Sequence, residues 1–204
     1  MIEPVARLRI ELQDIEPKIW RRVDVPLSCT LLALHDIIQV LFRWHDAHLF
    51  EFRIGEKIYG VSMPDDAFFE RRVLQAKGVR LRALLDRGVD RFLYVYDFGD
   101  DWRHAVTVEA TFDGAADTDY PSFVDGIGRA PPEDVGGPPG FEMLLEAIAD
   151  PAHEEHDQLL NWHGGPFDPD DIEEDHVRGV LSMFANRRRG PLMSHRSGGR
   201  GRGS

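Results

Sequence analysis

Acidic side chains and one histidine crowd around a glycine in the stretch from Tyr94 to His104. The members that could do chemistry are Asp97, Asp100 and His104. A carboxylate held close to an imidazole can transfer a proton, and both groups are ligands of divalent metals. The two halves of the stretch have the composition of β-strands, and the glycine between them predicts a hairpin. Whether the acid and the imidazole meet therefore depends on how the two strands pair.

The pairing register of this hairpin has two alternatives. A two-residue type II′ turn at residues 99 and 100 would make Asp97 and His104 diagonal neighbours about 7 Å apart on an otherwise apolar face. In that register the facing pairs are Asp97 with Trp102 and Val95 with His104. A slip of one residue, with a three-residue loop, would place His104 beside Tyr96 and send Asp97 to the other face. Only the first alternative brings the acid and the imidazole together.

A second dense segment, Pro131 to Gly137, follows about 27 residues after His104 and carries Glu133 and Asp134. Two prolines restrict its backbone to extended conformations, and the glycine pair at its end allows positive φ angles or a close backbone approach. These features predict a rigid loop. Our hypothesis is that this loop packs across the hairpin and forms one wall of a cleft, with Trp102 and His104 as the other wall.

These residues have two interpretations. As a site, the candidate catalytic residues are Asp97, His104, Glu133 and Asp134. The candidate ligands of a divalent metal are Asp97, Asp100 and His104, and the candidate ligand-binding residues are Tyr96, Asp100, Trp102 and His48. As structure, the same side chains bond one another or the loop backbone and fix the hairpin. The second interpretation is favoured, and with it the absence of a metal cofactor, because no nucleophile accompanies the cluster.

A further metal hypothesis groups three histidines, His35, His45 and His48, which lie close together in the chain. Imidazole is a common ligand of zinc and related metals. However, His35 flanks the apolar stripe of a predicted helix, and a partly buried polar residue is the simpler interpretation. The hypothesis therefore depends on where the helix points this side chain.

Composition limits the class of protein. The chain has 204 residues with 42% apolar and 10% aromatic residues, enough to bury a core, and we expect one domain over residues 1–186. No apolar run approaches the roughly 20 residues of a membrane span, and the start of the chain has no signal-peptide pattern. The single cysteine, Cys29, excludes an internal disulfide framework. A soluble, cytoplasmic protein is expected.

Charge is divided unevenly along the chain. Residues 187–204 hold six arginines and no acid, so the first 186 residues carry 18 basic side chains against 36 acidic ones. A body that acidic repels a phosphate backbone, which disfavours nucleic acid as its partner. The basic tail is rich in arginine, glycine and serine, so it is predicted to be disordered and is the only part suited to nucleic acid. The expected partner of the body is a small molecule, a peptide or a protein.

Periodicity predicts strands early in the chain and helices late. The predicted strands are 6–12, 19–25, 48–54, 58–60 and the two arms of a hairpin over 91–110, and the first two form an antiparallel ribbon. The predicted helices are 31–41, with Thr30 or Ser28 as N-cap, 80–85, 141–148, one beginning at Asp150-Pro151, and one from Asp168-Pro169 to about Phe184. A loop runs from Ala110 to Pro139. The fold class is therefore α+β: an antiparallel or mixed sheet with hairpins in the N-terminal two-thirds, packed against helices, and a helical C-terminal part.

Several of these motifs together resemble one family. They are Trp20-Arg21-Arg22, Leu34-His35 with Ile38-Gln39, His48-Leu49, the Tyr-Asp-Phe-Gly-Asp-x-Trp-x-His run from Tyr96 to His104, and the Pro131–Gly137 segment. Their types and order resemble the plasmid pRiA4b ORF-3-like proteins over roughly residues 5–185. The resemblance implies a compact α+β domain and an association with plasmids or mobile elements. It implies no particular reaction.

Two properties attributed to relatives do not carry over to these residues. Some relatives are called resolvases, but a serine recombinase needs a nucleophilic serine in an arginine-rich site, and the acidic body shows no such set. Relatives also carry cysteines where this chain has Phe123, Ala130 and Val135, so a thiolate metal site is not expected.

Two functional classes remain open. The first is a noncatalytic binding module whose cleft takes a small molecule, a peptide or a protein partner. The second is a metal-assisted hydrolase that uses some combination of Asp97, Asp100, His104, Glu133 and Asp134. Stoichiometric metal and converging side chains would distinguish the second class from the first.

Overall fold

The structure, a computed structural model, describes residues 3–61 and 72–189, with side chains described up to residue 185. Its described part contains one eight-stranded sheet with the spatial order β5-β4-β3-β6-β7-β1-β2-β8. The strands are β1 (Pro4–Leu12), β2 (Trp20–Pro26), β3 (Phe50–Ile54), β4 (Lys57–Gly60), β5 (Val73–Gln75), β6 (Arg91–Tyr96), β7 (Trp102–Asp113) and β8 (Ser122–Ile127). The helices are α1 (Leu31–Phe42), α2 (Leu81–Leu85), α3 (Gly137–Ala149), α4 (His156–His163) and α5 (Glu174–Arg189).

The sheet is mixed, because β4 and β5 pair in parallel while the other neighbours are antiparallel. The predicted α+β class and the predicted β1–β2 ribbon are both confirmed. The alternating apolar side chains of β1 are fully buried, as expected for a strand with one face on the core: Ala6, Leu8, Ile10 and Leu12. Among the described residues, no helix combines the length and the apolar composition needed to cross a bilayer.

Helix α1 begins at one of the two N-cap residues that the sequence predicts. The hydroxyl of Thr30 accepts a hydrogen bond from the amide of Ala33 at 3.1 Å, which satisfies one of the free amides of the first turn. Arg43 ends the helix in the left-handed conformation with φ 58°. The apolar stripe of the helix is completely buried, at Leu31, Leu34, Ile38 and Leu41. Helix α1 therefore packs its apolar stripe into the core. The loop that follows begins at Arg43, directly after the buried Phe42.

Both predicted registers of the β6–β7 hairpin are wrong. Tyr96 pairs with Trp102, and Tyr94 pairs with His104, so five residues form the connecting loop. Asp97 and Asp101 lie in this loop with φ 53° and 56°. Aspartate tolerates the left-handed region better than most residues and bonds nearby backbone amides, so the loop does not close at its glycine. Asp97 is consequently not on a strand, and the predicted diagonal pair with His104 does not form.

The region between β7 and α3 is not only a loop, as predicted from residue 110 to 139. It contains β8, which pairs with β2 and forms one edge of the sheet. The strand buries only Phe123 fully. It therefore shows no alternation of apolar and polar residues, which is the signal by which a strand is recognised from sequence.

The prediction of a helical C-terminal part holds only in part. Asp150 ends α3 instead of starting the next helix, which begins at His156. Turns follow Asp168, and α5 begins at Glu174. In both places a proline follows an aspartate in a turn that precedes the helix, so the Asp-Pro pair was a turn signal. Helix α5 continues to Arg189, three residues into the predicted disordered tail, and the rest of that tail lies outside the described residues.

Candidate functional site

Tyr96, the last residue of β6, is buried and joins three segments of the chain. Its hydroxyl donates a short hydrogen bond to Glu133 and accepts hydrogen bonds from the amides of Ala47 at 3.0 Å and His48 at 3.3 Å. Burial, together with the neighbouring Glu133 carboxylate, raises the pKa of Tyr96 well above its usual value. The hydroxyl is therefore a fixed proton donor to Glu133.

The Pro131–Gly137 segment is held against the loop after α1 by two further contacts. The second oxygen of Glu133 accepts from the amide of His45 at 3.0 Å. The indole of Trp44 donates to the carbonyl of Pro131 at 2.9 Å and stacks on the ring of Tyr96 with centroids 5.0 Å apart. Because both carboxylate oxygens and the indole N–H have partners, this contact tolerates little movement.

The same segment also packs across the turn of the hairpin, as the sequence predicted. The Asp100 carboxylate accepts from the amide of Gly136 at 3.2 Å. Gly137 has φ 68°, and a Cβ atom there would lie 2.8 Å from the Asp100 carbonyl oxygen. Glycine is required at this position both for its conformation and for the close approach.

His48, Asp97 and Asp134 come together beside this contact, with Asp97 buried, His48 half-buried and Asp134 exposed. The Nε2 atom of His48 lies 2.9 Å from a carboxylate oxygen of Asp134 and 3.6 Å from one of Asp97. One potential ligand atom from each residue lies within 4.8 Å of the others. Since metal–ligand bonds of about 2.0–2.2 Å place neighbouring ligands some 3 Å apart, these three side chains have a spacing that suits a divalent cation. The other Asp97 oxygen accepts from the amides of Gly99 and Asp100 in the turn.

His104 is not part of this group, although the sequence placed it there. It is fully buried, with ring-edge contacts to Phe42 at 4.7 Å and Trp44 at 5.2 Å between centroids. Neither ring nitrogen makes a hydrogen bond of normal geometry with the described residues. Burial lowers the pKa of His104 to about 3, so the ring is neutral near pH 7. The predicted cleft wall of Trp102 and His104 is also wrong, because both side chains lie in the core.

The three histidines of the second metal hypothesis do not converge. His35 is buried, stacks on Phe50, and bonds the Tyr94 hydroxyl and the Asp46 carboxylate at 2.8 Å each. Burial lowers its pKa, and Asp46 opposes that shift. His45 lies beside Glu133, whereas His48 lies beside Asp97 and Asp134. Each histidine therefore has a different carboxylate partner.

Glu133 also lines a cleft of about 330 Å³, which the sequence did not indicate. We call it the Arg21 cleft. It is lined by Arg21, Phe42, Arg43, His45, the 129–133 segment, Trp162, His163, Phe167 and Ile172. One sequence signal was present: Arg21 occupies an inward-facing position between Ile19 and Val23, where the alternation of β2 calls for an apolar residue.

The molecule is thus a small α+β protein in which a mixed sheet and the Pro131–Gly137 segment position a histidine–carboxylate group and a cleft lined by three arginines. The family model described as "Plasmid pRiA4b ORF-3-like protein" matches residues 4–176. The chain belongs to this family, as its motifs indicated.

Two similar proteins support the assignment. An "Uncharacterized protein y4hQ" of Sinorhizobium fredii is 40% identical over 164 residues, which are 80% of this chain and 83% of that protein. A crystal structure of a "Protein of Unknown Function" from Methanosarcina mazei Go1 superposes with a TM-score of 0.76 at 32% identity, covering 85% of this chain and 97% of that one. The fold is therefore shared, and function must be argued from the site.

Replacing Tyr96 with phenylalanine tests whether its hydroxyl holds the site together. The Tyr96→Phe change leaves one oxygen of Glu133 and the amides of Ala47 and His48 without a partner, so we expect the free energy of unfolding to fall by about 2–3 kcal/mol. The control is Tyr59→Phe, at another buried tyrosine whose hydroxyl makes no hydrogen bond within the described part of the chain. Chemical denaturation followed by circular dichroism measures both. Equal, small losses in the two variants would contradict the central role of Tyr96.

Acid titration of stability tests the buried, neutral state of His104. A histidine in the unfolded chain has a pKa of about 6.5, so protons bind preferentially to the unfolded chain as pH falls below that value towards 3. Wild-type protein is therefore expected to lose about 3 kcal/mol more stability between pH 7 and pH 4 than the His104→Phe variant, which has no proton to bind there. His35 is present in both proteins and its contribution cancels.

The matched control is His176→Phe, because His176 is exposed on α5. This variant should keep the acid sensitivity of the wild type. Parallel stability curves for wild type and His104→Phe would show that His104 is protonated as easily in the folded protein as in the unfolded chain.

Proposed function

We propose that this protein is a noncatalytic binding module and that its ligand occupies the Arg21 cleft. The observation that carries the proposal is the cleft itself: a concave space of about 330 Å³ in which aromatic and proline walls alternate with charged and polar side chains. Ligand sites in proteins are concave and have volumes from about 300 Å³ upwards. The adjacent Tyr96–Glu133 contact keeps one wall of the cleft in place.

The chemistry of the lining supports binding more than catalysis. None of the described residues that line the cleft is a serine, threonine or cysteine, the usual nucleophiles. The carboxylate in the lining, Glu133, has one oxygen bonded to Tyr96 and the other to His45. A carboxylate with both oxygens engaged is poorly placed to act as a general base.

The size of the cleft favours a small molecule, or a single side chain of a peptide or protein partner. The acidic body disfavours nucleic acid, because a surface with twice as many acids as bases repels phosphates. An association with plasmids or mobile elements rests on the name of the family alone.

A fragment screen with a variant that fills the cleft tests this proposal. We expect ligand-observed NMR with a set of neutral, cationic and anionic fragments to identify binders of the wild type. Ile172→Trp should abolish their binding, because a larger side chain at the lining occupies the space. The matched control, Met143→Trp, changes an exposed residue of α3 outside the cleft and should bind as the wild type does. Fragment binding that survives Ile172→Trp would place the site elsewhere, and the absence of any binder would contradict the proposal.

A metal-assisted hydrolase is the second candidate, and the His48, Asp97 and Asp134 group favours it. These three side chains would hold the cation. A bound Zn²⁺ or similar ion supplies a Lewis acid and lowers the pKa of a bound water. The ligand set differs from the one that the sequence suggested, because His104 is buried and Asp100 bonds the amide of Gly136.

Metal content decides between the two candidates. Protein purified without a histidine tag is analysed by mass spectrometry, for the wild type, His48→Ala and Asp97→Ala. On the binding-module proposal, we expect well under one metal ion per chain in all three, with lower stability for Asp97→Ala because it loses the acceptor of the turn amides. About one ion per chain in the wild type, lost in a still-folded His48→Ala protein, would favour the hydrolase.

A further inference from the structure

Arg21 is a buried cation held in place by backbone carbonyl groups. Its side chain lies on the inward face of β2 and is 1% exposed. The Nε atom donates to the carbonyl of Leu41 at 3.0 Å, and Nη1 donates to the carbonyls of Trp20 and Ile127 at 2.9 Å each. The guanidinium is therefore fixed in position and orientation before any ligand arrives.

A glycine opposite Arg21 makes room for this arrangement. A Cβ atom at Gly126 would lie 3.0 Å from both the Cδ atom of Arg21 and the carbonyl oxygen of Trp20. Strand β8 therefore lies closer to Arg21 than it could if residue 126 had a side chain.

No carboxylate in the described part of the chain pairs with Arg21. Other arginines of the fold have such partners: Arg7 with Asp24, Arg22 with Glu109, Arg129 with Glu173, and Arg178 with Glu174. Burial lowers the pKa of Arg21 to about 10, which still leaves it charged at neutral pH. A buried charge without a counterion is costly, and carbonyl dipoles offset only part of that cost.

The remaining nitrogen of Arg21, Nη2, has no hydrogen-bond acceptor among the described residues. Arg21 lines the cleft, so Nη2 is the part of the guanidinium left to contact what occupies it. An N–H group of arginine forms its strongest hydrogen bonds with carboxylate and phosphate oxygens.

Two more arginines add positive charge at the same cleft. Arg43 and Arg129 both bond the one carboxylate of Glu173. Burial and the nearby charge of Arg43 lower the pKa of Arg129. The lining of the cleft thus holds three arginines and one carboxylate, Glu133, whereas Glu173, Asp168 and Asp171 act on Arg129 from outside the lining. The lining itself carries more positive than negative side chains, which favours an anion as its occupant.

We propose that the Arg21 cleft binds a small molecule through an oxyanion group, a carboxylate or a phosphate, which accepts a hydrogen bond from Nη2 of Arg21. This inference rests on the proposed binding function and names the class of its ligand. The rest of the ligand is apolar and flat, because the walls around Arg21 are the rings of Phe42, Trp162 and Phe167 and the two prolines at 131 and 132. Trp162 is about half exposed at the rim, where it is free to stack on such a ligand.

Probes that share a phenyl ring and are either anionic or neutral test this proposal by isothermal titration calorimetry. The pairs are benzoate with benzamide and phenyl phosphate with phenol, and inorganic phosphate is the probe without an apolar part. We expect benzoate or phenyl phosphate to bind at least about tenfold more tightly than its neutral counterpart, since a charged hydrogen bond contributes that much. The better of the two anions distinguishes a carboxylate ligand from a phosphate ligand.

Two neighbouring arginines supply the matched variants. Arg21→Gln removes the charge inside the cleft and should weaken the better anion about tenfold or more. Arg22→Gln removes the next charge along β2, which pairs with Glu109 outside the cleft, and should change the affinity less than about twofold. Equal effects of the two variants, or unchanged affinity in Arg21→Gln, would overturn the proposal.

A measurement on the wild-type protein remains decisive if Arg21→Gln does not fold. In side-chain ¹⁵N NMR, titration with the better anion should shift the guanidinium signals of Arg21 and leave those of Arg22 in place. Binding of an anion without a shift at Arg21 would overturn the proposal.

The outcomes also separate this inference from the proposed function. If benzamide and phenol bind as tightly as their anionic counterparts, and Ile172→Trp abolishes that binding, the cleft is a ligand site but not an oxyanion site. If neither these probes nor any fragment binds, both proposals fail.

Discussion

Three segments of the chain meet at the hydroxyl of Tyr96: strand β6, the loop after α1, and the Pro131–Gly137 segment. The positions of the His48 group and of the Glu133 wall of the Arg21 cleft depend on this contact. The buried hydroxyl donates its hydrogen to Glu133 and accepts hydrogen bonds from the amides of Ala47 and His48, so all of its hydrogen-bonding positions are used. A buried network in which every member has a partner specifies one arrangement, because any alternative leaves a polar group unsatisfied. His48 is thereby brought to Asp134, and Glu133 becomes part of the wall of the Arg21 cleft.

Three buried ionisable side chains show three different states of a polar group in the core. His35 has a partner for each ring nitrogen, namely Tyr94 and Asp46. His104 lies among aromatic rings and avoids the cost of a charge by remaining neutral. Arg21 stays charged near pH 7, and in the described part of the chain its guanidinium bonds carbonyl groups and no carboxylate. This difference is why our proposal assigns the anionic ligand to Arg21 and to neither histidine.

Local rules predicted the elements whose residues face the core at regular intervals. The strand β1 and the helix α1 have unbroken apolar periodicity, so their type and approximate ends follow from sequence. The edge strand β8 has no such periodicity and was predicted as loop. The predicted hairpin register is wrong for a different reason. Asp97 and Asp101 adopt positive φ, so the loop has five residues instead of the two or three predicted around the glycine. That one change takes Asp97 off the strand and brings it to His48 and Asp134 instead of to His104.

The sequence by itself determined the α+β class, the family, and the importance of the Tyr96–His104 and Pro131–Gly137 segments, since these follow from residue types and short-range spacing. Only the tertiary structure decided which side chains meet. Asp97 joins His48 instead of His104, and Arg21 lines a cleft with residues of the 129–133 segment and of α4, more than a hundred positions away. Such groupings depend on strand register and on the docking of one loop, and both are set by long-range contacts that no local pattern encodes.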